Sequence, residues 1–339
     1  MSAPRLLTSI AAFALLCATA MVAGQGTSGV VRVGIIGLDT SHSVAFTRVF
    51  NDPGAAPDVA GFRVVAAYPH GSRTIESSVS RIPEYTEQVR ALGVEIAASL
   101  DELLGRVDVV LLETNDGRLH LEQALEVFRA GKPVFIDKPV AGSLADAVEI
   151  FDAARRHNVP VFSSSSLRYA AGAQQARDGA LGRVVGADAF SPATLEPTHP
   201  DLFWYGVHGV ELLFTAMGTG VEEVVRMHTD GADVVVGRWA DGRIGTLRGI
   251  REGRREYGGT AFGTEKIAPL GPYDGYRPLL VEIAKFFRTK VPPVSAEETI
   301  EIFAFMEAAD ESKRRGGAPV RVADVLAAAR QAAKAPARR

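Results

Sequence analysis

Two polar residues stand where an α/β chain could turn them to proton chemistry. Lys138, in "VFIDKPVAG", directly follows an apolar strand. It therefore falls at the carboxyl edge of a parallel sheet, where open α/β folds bind ligands. His208, in "FWYGVHGVELLF", opens an apolar helical run. An amine or imidazole beside a C–H(OH) group takes the hydroxyl proton while a hydride leaves, provided its pKa is brought towards neutrality. Each residue also has a structural reading. Lys138 can be a surface lysine braced by Pro139, and His208 a core histidine packed under "VELLF".

A third cluster lies in "RVGIIGLDTSHSV", where a strand carrying Gly34 runs into Gly37 and then Asp39, Thr40, Ser41 and His42. Strand, turn and helix come in the order of a dinucleotide fingerprint, and a helix N-terminus there attracts anions. Gly37 fits the first glycine. Asp39 falls at the second and His42 at the third, where glycine normally allows close approach to a pyrophosphate. An acid at that place repels phosphate unless it is neutralised or turned away. Two readings stay open: a phosphate cradle, or a helix capped by Asp39, Thr40 or Ser41. The next strand ends in "AAYPHGSR", without the acid that usually holds the NAD ribose. His70, Ser72 and Arg73 suit either a 2′-phosphate or a solvated loop.

Other chemistries find less support. His120, His199 and His208 are scattered, no H-x-x-x-H or H-E-x-x-H is present, and no metal site is expected. There is no G-x-S-x-G elbow for a serine nucleophile, and "SSSS" at 163–166 reads as a strand end opening a cleft between domains. The one cysteine, Cys17, lies in the N-terminal apolar run, so the remainder of the chain carries no thiol. With 37 basic and 40 acidic residues the net charge is -3, which provides no field for nucleic acid or anionic lipid.

The elements that must position these residues divide the chain in two. Between 30 and 165, Val/Ile/Leu-rich strands alternate with amphipathic helices, as in "DVVLLET", "LHLEQALEVFRAGK" and "PVFID". Six such strands imply a doubly wound Rossmann domain with helices on both faces. Between 166 and 330 the segments "GRVVGADAFSP", "DVVVGRWADGRIGTLRGI" and "GGTAFGTEK" are strand-like, with Asp241-Gly242 as a hairpin turn. The expected fold is α/β, with a C-terminal α+β domain on a mostly antiparallel open sheet. Two late helices, near 279–287 and 297–312, precede a frayed tail at 331–339.

The stretch "LLETNDGRLHLEQALEVFRAGKPVFIDKPVAGS" resembles the Gfo/Idh/MocA oxidoreductase family. Its members carry a strand ending in Thr-Pro-Asn, a His-headed helix, Ala-Gly-Lys and Glu-Lys-Pro. Thr114, Asn115, His120, Gly131, Lys132 and Asp137-Lys138-Pro139 match that pattern, with Asp for Glu at 137 and Asp116-Gly117 where Pro-Asn is frequent. The resemblance extends over nearly the whole chain after the N-terminal segment, and "PPVSAEETIEIFAFMEAADES" looks like the family's closing helices.

The resemblance implies NAD or NADP held by Gly34, Gly37, Asp39, Thr40, His42, Thr114, Asn115, His120, Asp137 and Lys138. It also implies that Lys138 contacts the nicotinamide ribose and assists proton transfer. "FWYGVHGVE" is similar to the family's Asp-x-Gly-x-His with a following acid: Gly206, His208 and Glu211 align, while Trp204 replaces the Asp. Trp204 stacks on sugar faces rather than accepting hydrogen bonds, and Tyr205 adds a hydroxyl. Arg168 and Tyr169 resemble the family's cleft entrance, with an interdomain hinge as the other reading. A sugar or cyclitol substrate and a homo-oligomer, paired through the open sheet, are expected from the same resemblance.

Residues 1–24 read as a secretory signal peptide: Arg5, an apolar run from about Leu6 to Val22, and small residues at Ala18, Ala20 and Ala23. No Arg-Arg pair marks a twin-arginine route, and Leu16 before Cys17 disfavours lipidation. The protein after cleavage is expected to be periplasmic or extracellular with no membrane span. Export unfolded, away from a soluble nicotinamide pool, conflicts with a bound dinucleotide. The expected function is NAD(P)-dependent oxidoreduction of a sugar or cyclitol hydroxyl or keto group, with Lys138 and His208 handling protons. The alternative is a cofactor-free sugar-binding protein, or a non-redox lyase or epimerase, on the same fold.

Overall fold

A computed structural model describes residues 29–334; the signal-peptide assignment falls outside these residues. The first domain contains β1 (Val31–Ile36), α1 (Ser41–Phe50), β2 (Phe62–Tyr68), α2 (Glu76–Val79), α3 (Ile82–Ala91), β3 (Glu95–Ile96) and α4 (Leu100–Arg106). It continues with β4 (Val109–Leu112), α5 (His120–Arg129), β5 (Val134–Ile136), α6 (Leu144–His157) and β6 (Val161–Ser163). All six strands are parallel, in the order β3-β2-β1-β4-β5-β6. That is the dinucleotide-fold order, with its switch point between β1 and β4. β4 and β5 are buried along their whole length, as strands covered on both faces require. Side-chain caps set the helix starts: Thr40, Ser99 and Ser143 each accept a hydrogen bond from a backbone N–H two or three residues on.

The second domain begins after a short 3-10 turn at Ser166–Tyr169. It holds α7 (Ala171–Arg177), β7 (Val184–Pro192), α8 (Val207–Met217), β8 (Val221–His228), β9 (Ala232–Trp239), β10 (Ile244–Ile250), β11 (Gly258–Gly263) and β12 (Ile267–Pro269). After it come α9 (Arg277–Thr289), α10 (Ala296–Arg314), β13 (Val320–Arg321) and α11 (Val322–Lys334). The sheet order is β12-β11-β7-β10-β9-β8-β13. All pairings are antiparallel except β7 with β10, so the mostly antiparallel sheet is present. Helices α8 and α10 pack on this sheet, and Met227, Ile244 and Ile267 remain exposed. Alternation places such residues opposite the buried ones.

Two boundaries differ from the sequence expectation. α9 returns to the first domain: Leu279, Leu280, Ile283, Phe286 and Phe287 join Val33, Phe46, Phe62, Phe135 and Phe162 in one core. An apolar helix face does not announce which sheet it will cover, so 277–289 read as part of the second domain. The tail at 331–339 is helical through Lys334, because α11 packs against α6 and α10. No helix among the described residues is long and apolar enough to cross a membrane.

Candidate active site

Parallel strands deliver their following residues to one edge. The loops after β1, β4, β5 and β6 meet α8 of the second domain around a cavity of about 470 Å³. Thr40, Ser41, His42, Asn115 and Lys138 line it from the first domain, joined by Ser77, Arg81 and Tyr85 of the segment after β2. Trp204, Tyr205, His208 and Tyr257 line it from the second, with Tyr273 and Tyr276 just before α9. The tertiary fold thus brings Lys138 and His208 to one space although 70 positions separate them in the chain.

Gly37 makes the entry turn possible. Its φ is +90°, and a Cβ there would lie 2.5 Å from the Thr114 nitrogen, closer than any side chain tolerates. The turn bonds to the end of β2, Gly37 N–H to Tyr68 O and Leu38 N–H to Pro69 O. Asp39 is turned inwards and fully buried. One carboxylate oxygen accepts from Ser72 N–H and the other from Asn115 N–H, both at 3.0 Å. It staples the three strand ends instead of facing the cavity. Burial raises its pKa, and those two N–H groups oppose the rise. The carboxylate is therefore turned away from the cavity, which lessens the repulsion expected between Asp39 and a phosphate. Thr40 is the cap of α1, accepting from His42 N–H at 3.4 Å, and the first turn of α1 opens on the cavity.

His208 is held by Ser165 Oγ at 2.7 Å through Nδ1. Its ring meets Tyr205 edge-on. Burial, then the charges of Lys138 and His42, hold its pKa well below the ordinary imidazole value. The imidazole is neutral near pH 7. An unfolded imidazole binds a proton below about pH 6.5 that the folded one resists, so acidification through that range destabilises the fold. His208→Gln is expected to flatten the loss of stability on acidification below about pH 6.5, by at most about 1.4 kcal/mol per unit. Chemical denaturation at several pH values reads this slope directly.

Beneath His42 lie two carboxylates. Asp137 Oδ2 is 2.7 Å from His42 Nδ1, and Glu113 Oε2 is 4.0 Å from the same nitrogen. Against burial, which raises it, the charges of His42 and Lys138 bring the Asp137 pKa down to about 2. Burial pushes Glu113 well above its ordinary value, and Asp137 adds to the rise while Lys138 opposes it. The His42 ring stacks on Phe46 and meets Tyr276 edge-on at 4.6 Å.

Several residues expected at the site act elsewhere. Arg168, 1% exposed, pairs with Glu211 at 2.8 Å and Glu298 at 2.5 Å, so neither it nor Glu211 lines the cavity. Tyr169 is packed inside next to Arg168, its hydroxyl buried. His120 sits fully buried between the Thr114 and Val140 carbonyls and braces the β4 loop. Thr114 is buried under Gly37. Gly34 lies within β1, where a Cβ would press on Val107 and Leu103. Ser72 is not solvated: its hydroxyl donates to Asp116 at 2.8 Å. The sequence reading missed Glu113, Arg81 and the Tyr257–Tyr273–Tyr276 wall. An acid closing the apolar run "VVLLE" was the one local signal among these; the tyrosines share no spacing that would have grouped them.

Residues 31–165 match the model of the GFO_IDH_MocA family, described as an oxidoreductase family with an NAD-binding Rossmann fold. Residues 31–165 are thus similar to the Rossmann domain of that family. The chain is 40% identical over 105 residues to a 1,5-anhydro-D-fructose reductase of Ensifer adhaerens, covering 29% of this chain and 31% of that protein. The chain thus matches only about a third of that curated relative's length. Among solved structures, scyllo-inositol dehydrogenase from Lactobacillus casei, with bound NAD(H) and scyllo-inositol, aligns with a TM-score of 0.67 at 15% identity. That alignment covers 86% of this chain and 99% of the other. GenD2 from gentamicin A biosynthesis, in complex with NAD, gives 0.68 at 19% identity over 88% and 98%. These likenesses show the same two-domain fold over 86–88% of the chain.

The residues present fit a dinucleotide. Thr40 and Ser41 at the start of α1, with Arg81, Asn115 and Lys138, contribute donors and positive charge to the cavity lining, as phosphates require. Asp39 is turned away from it.

Proposed function

We propose that the protein is an NAD(P)-dependent oxidoreductase acting on a hydroxyl or keto group of a sugar or cyclitol. The observation that carries this reading is the meeting of Lys138 and His208, from different domains, in one cavity that also receives the N-terminus of α1. A bound nicotinamide supplies the hydride acceptor or donor. Lys138 and the neutral His208 are the two groups placed to move the hydroxyl proton, and Ser165 fixes the His208 ring through Nδ1. Trp204, Tyr205 and Tyr257 offer aromatic faces to the C–H side of a sugar ring, and the Tyr205 and Tyr257 hydroxyls meet at 2.9 Å. Export through residues 1–24 and self-association through the open sheet belong to the same reading.

The alternative, a cofactor-free sugar-binding or non-redox lyase or epimerase activity, is favoured by one observation. Asp39 and His42 replace the second and third glycines of the fingerprint, and His42 turns its ring to Asp137. Calorimetric titration of the purified protein with NAD, NADH, NADP and NADPH separates the two. Micromolar binding of one pair, or a dinucleotide released on denaturation, is the expected result. Absence of heat from all four, with no retained nucleotide, overturns the redox reading in favour of the alternative.

A further inference from the structure

The most unusual group in the molecule is Glu113. It follows β4 directly, has no solvent exposure, and neither carboxylate oxygen has a hydrogen-bond partner. Asp137 Oδ1 is likewise buried without a partner. A buried carboxylate without partners is strongly disfavoured unless a cation or a proton answers it. The ionisable groups around Glu113 are Asp137, Asp39, Lys138 and, 4.0 Å away, His42 Nδ1: three carboxylates in all against one lysine and one imidazole. The local balance is thus short of positive charge.

The arrangement around Glu113 is that of a ligand set. One atom each from His42, Glu113 and Asp137 lies within 4.8 Å of the other two, the only such group of three among the described residues. Glu113 and Asp137 directly follow β4 and β5, His42 lies in the first turn of α1, and all three are held in place. Glu113 N–H donates to Ile36 O at 2.7 Å, Asp137 N–H donates to Leu112 O at 2.9 Å, and the His42 ring is fixed by Phe46 and Tyr276. His42 lines the cavity and both carboxylates lie buried below it, so an ion held by the three would sit at the cavity floor. One imidazole and two carboxylates suit Zn²⁺ or Mn²⁺, and three protein ligands that leave a coordination position open describe a catalytic rather than a closed structural site.

We propose that His42, Glu113 and Asp137 bind one divalent transition-metal ion, Zn²⁺ or Mn²⁺, whose open coordination position faces the cavity shared by Lys138 and His208. The His42–Asp137 contact of 2.7 Å opens by roughly half an ångström to admit the ion at ~2.1 Å from each ligand. The ion neutralises Glu113 and takes an oxygen of whatever ligand enters the cavity. The inference goes beyond the nicotinamide reading, and its test uses metal, not dinucleotide, so each can fail alone.

The test is calorimetric titration of the EDTA-treated, dialysed protein with Zn²⁺ and separately with Mn²⁺, alongside melting temperatures with and without each ion. One equivalent is expected to bind with a rise in melting temperature, and the stronger of the two titrations identifies the ion. Glu113→Gln is expected to weaken binding by about tenfold or more, to abolish the metal-dependent rise, and to melt higher than the unaltered protein in EDTA. His42→Gln, altered at the cavity wall, repeats the loss of binding should Glu113→Gln fail to fold. Anomalous scattering from metal-soaked crystals of the unaltered protein locates the ion without any variant. Absence of binding, or undiminished binding in both variants, or an ion located elsewhere, overturns the site and leaves Glu113 as a buried neutral acid.

Discussion

Replacing Lys138 with methionine is expected to lower turnover by about 10²–10⁴-fold, the range lost with a positioned proton-transfer group. The melting temperature should fall only modestly, the loss coming from the Lys138 charge that faces the buried Glu113 and Asp137. Lys138 lies at the cavity wall, 7% exposed, and no hydrogen bond of its amine ties other elements together, so methionine keeps most of its packing. The measurement is kcat on a turned-over sugar or cyclitol, paired with thermal denaturation of the same sample. An unchanged kcat removes Lys138 from the mechanism, and a collapsed melting temperature assigns it a structural role. Dinucleotide titration of the variant adds a separate reading, since weaker affinity with intact kcat would mark Lys138 as a binding residue alone.

Arg168→Met is expected to give the largest loss of stability, about 3–5 kcal/mol. The guanidinium is almost fully buried, donating through Nε to Glu211 and through Nη1 to Glu298. It sits on the 3-10 turn that leaves the first domain and holds α8 and α10 against that crossing. Burial raises the pKa of Glu211 and Arg168 is the main force opposing that rise; without it a buried carboxylate is left unanswered. For a chain of this size the melting temperature should fall by roughly 10 °C, while affinity for ligands of the cavity changes little. A loss under about 1 kcal/mol would show that the ion pairs contribute nothing net, as exposed pairs do. A selective loss of ligand affinity would return Arg168 to the role of a substrate clamp.

Both predictions concern residues singled out by sequence, and their outcomes are expected to differ for a reason sequence does not carry. Lys138 and Arg168 each follow a strand of the parallel sheet. Lys138 points into the cavity, whereas Arg168 is met by Glu211 and Glu298, which approach from α8 and α10, 43 and 130 positions away. Opposite charges so far apart in the chain have no local signature. His120 repeats the lesson: heading a helix beside the site, it is held between two carbonyls and braces a loop.

The sequence by itself determined the fold of the first domain and the edge at which ligands meet it. Runs such as "VVLL" and "VFI" bury in only one kind of sheet, and residues that follow parallel strands have only one edge to occupy. It also carried the resemblance to a family, because "ETNDGRLH" and "DKP" are local and close to their strands. The tertiary structure decided what is non-local: that Asp39 turns inwards, that α9 returns to the first sheet, and that three tyrosines from 257 to 276 wall the cavity. It alone brought His42, Glu113 and Asp137 within 4.8 Å. Their spacing in the chain is set by intervening helices and carries no trace of their chemistry, because a parallel sheet sends every strand end to one edge whatever the length of the crossover.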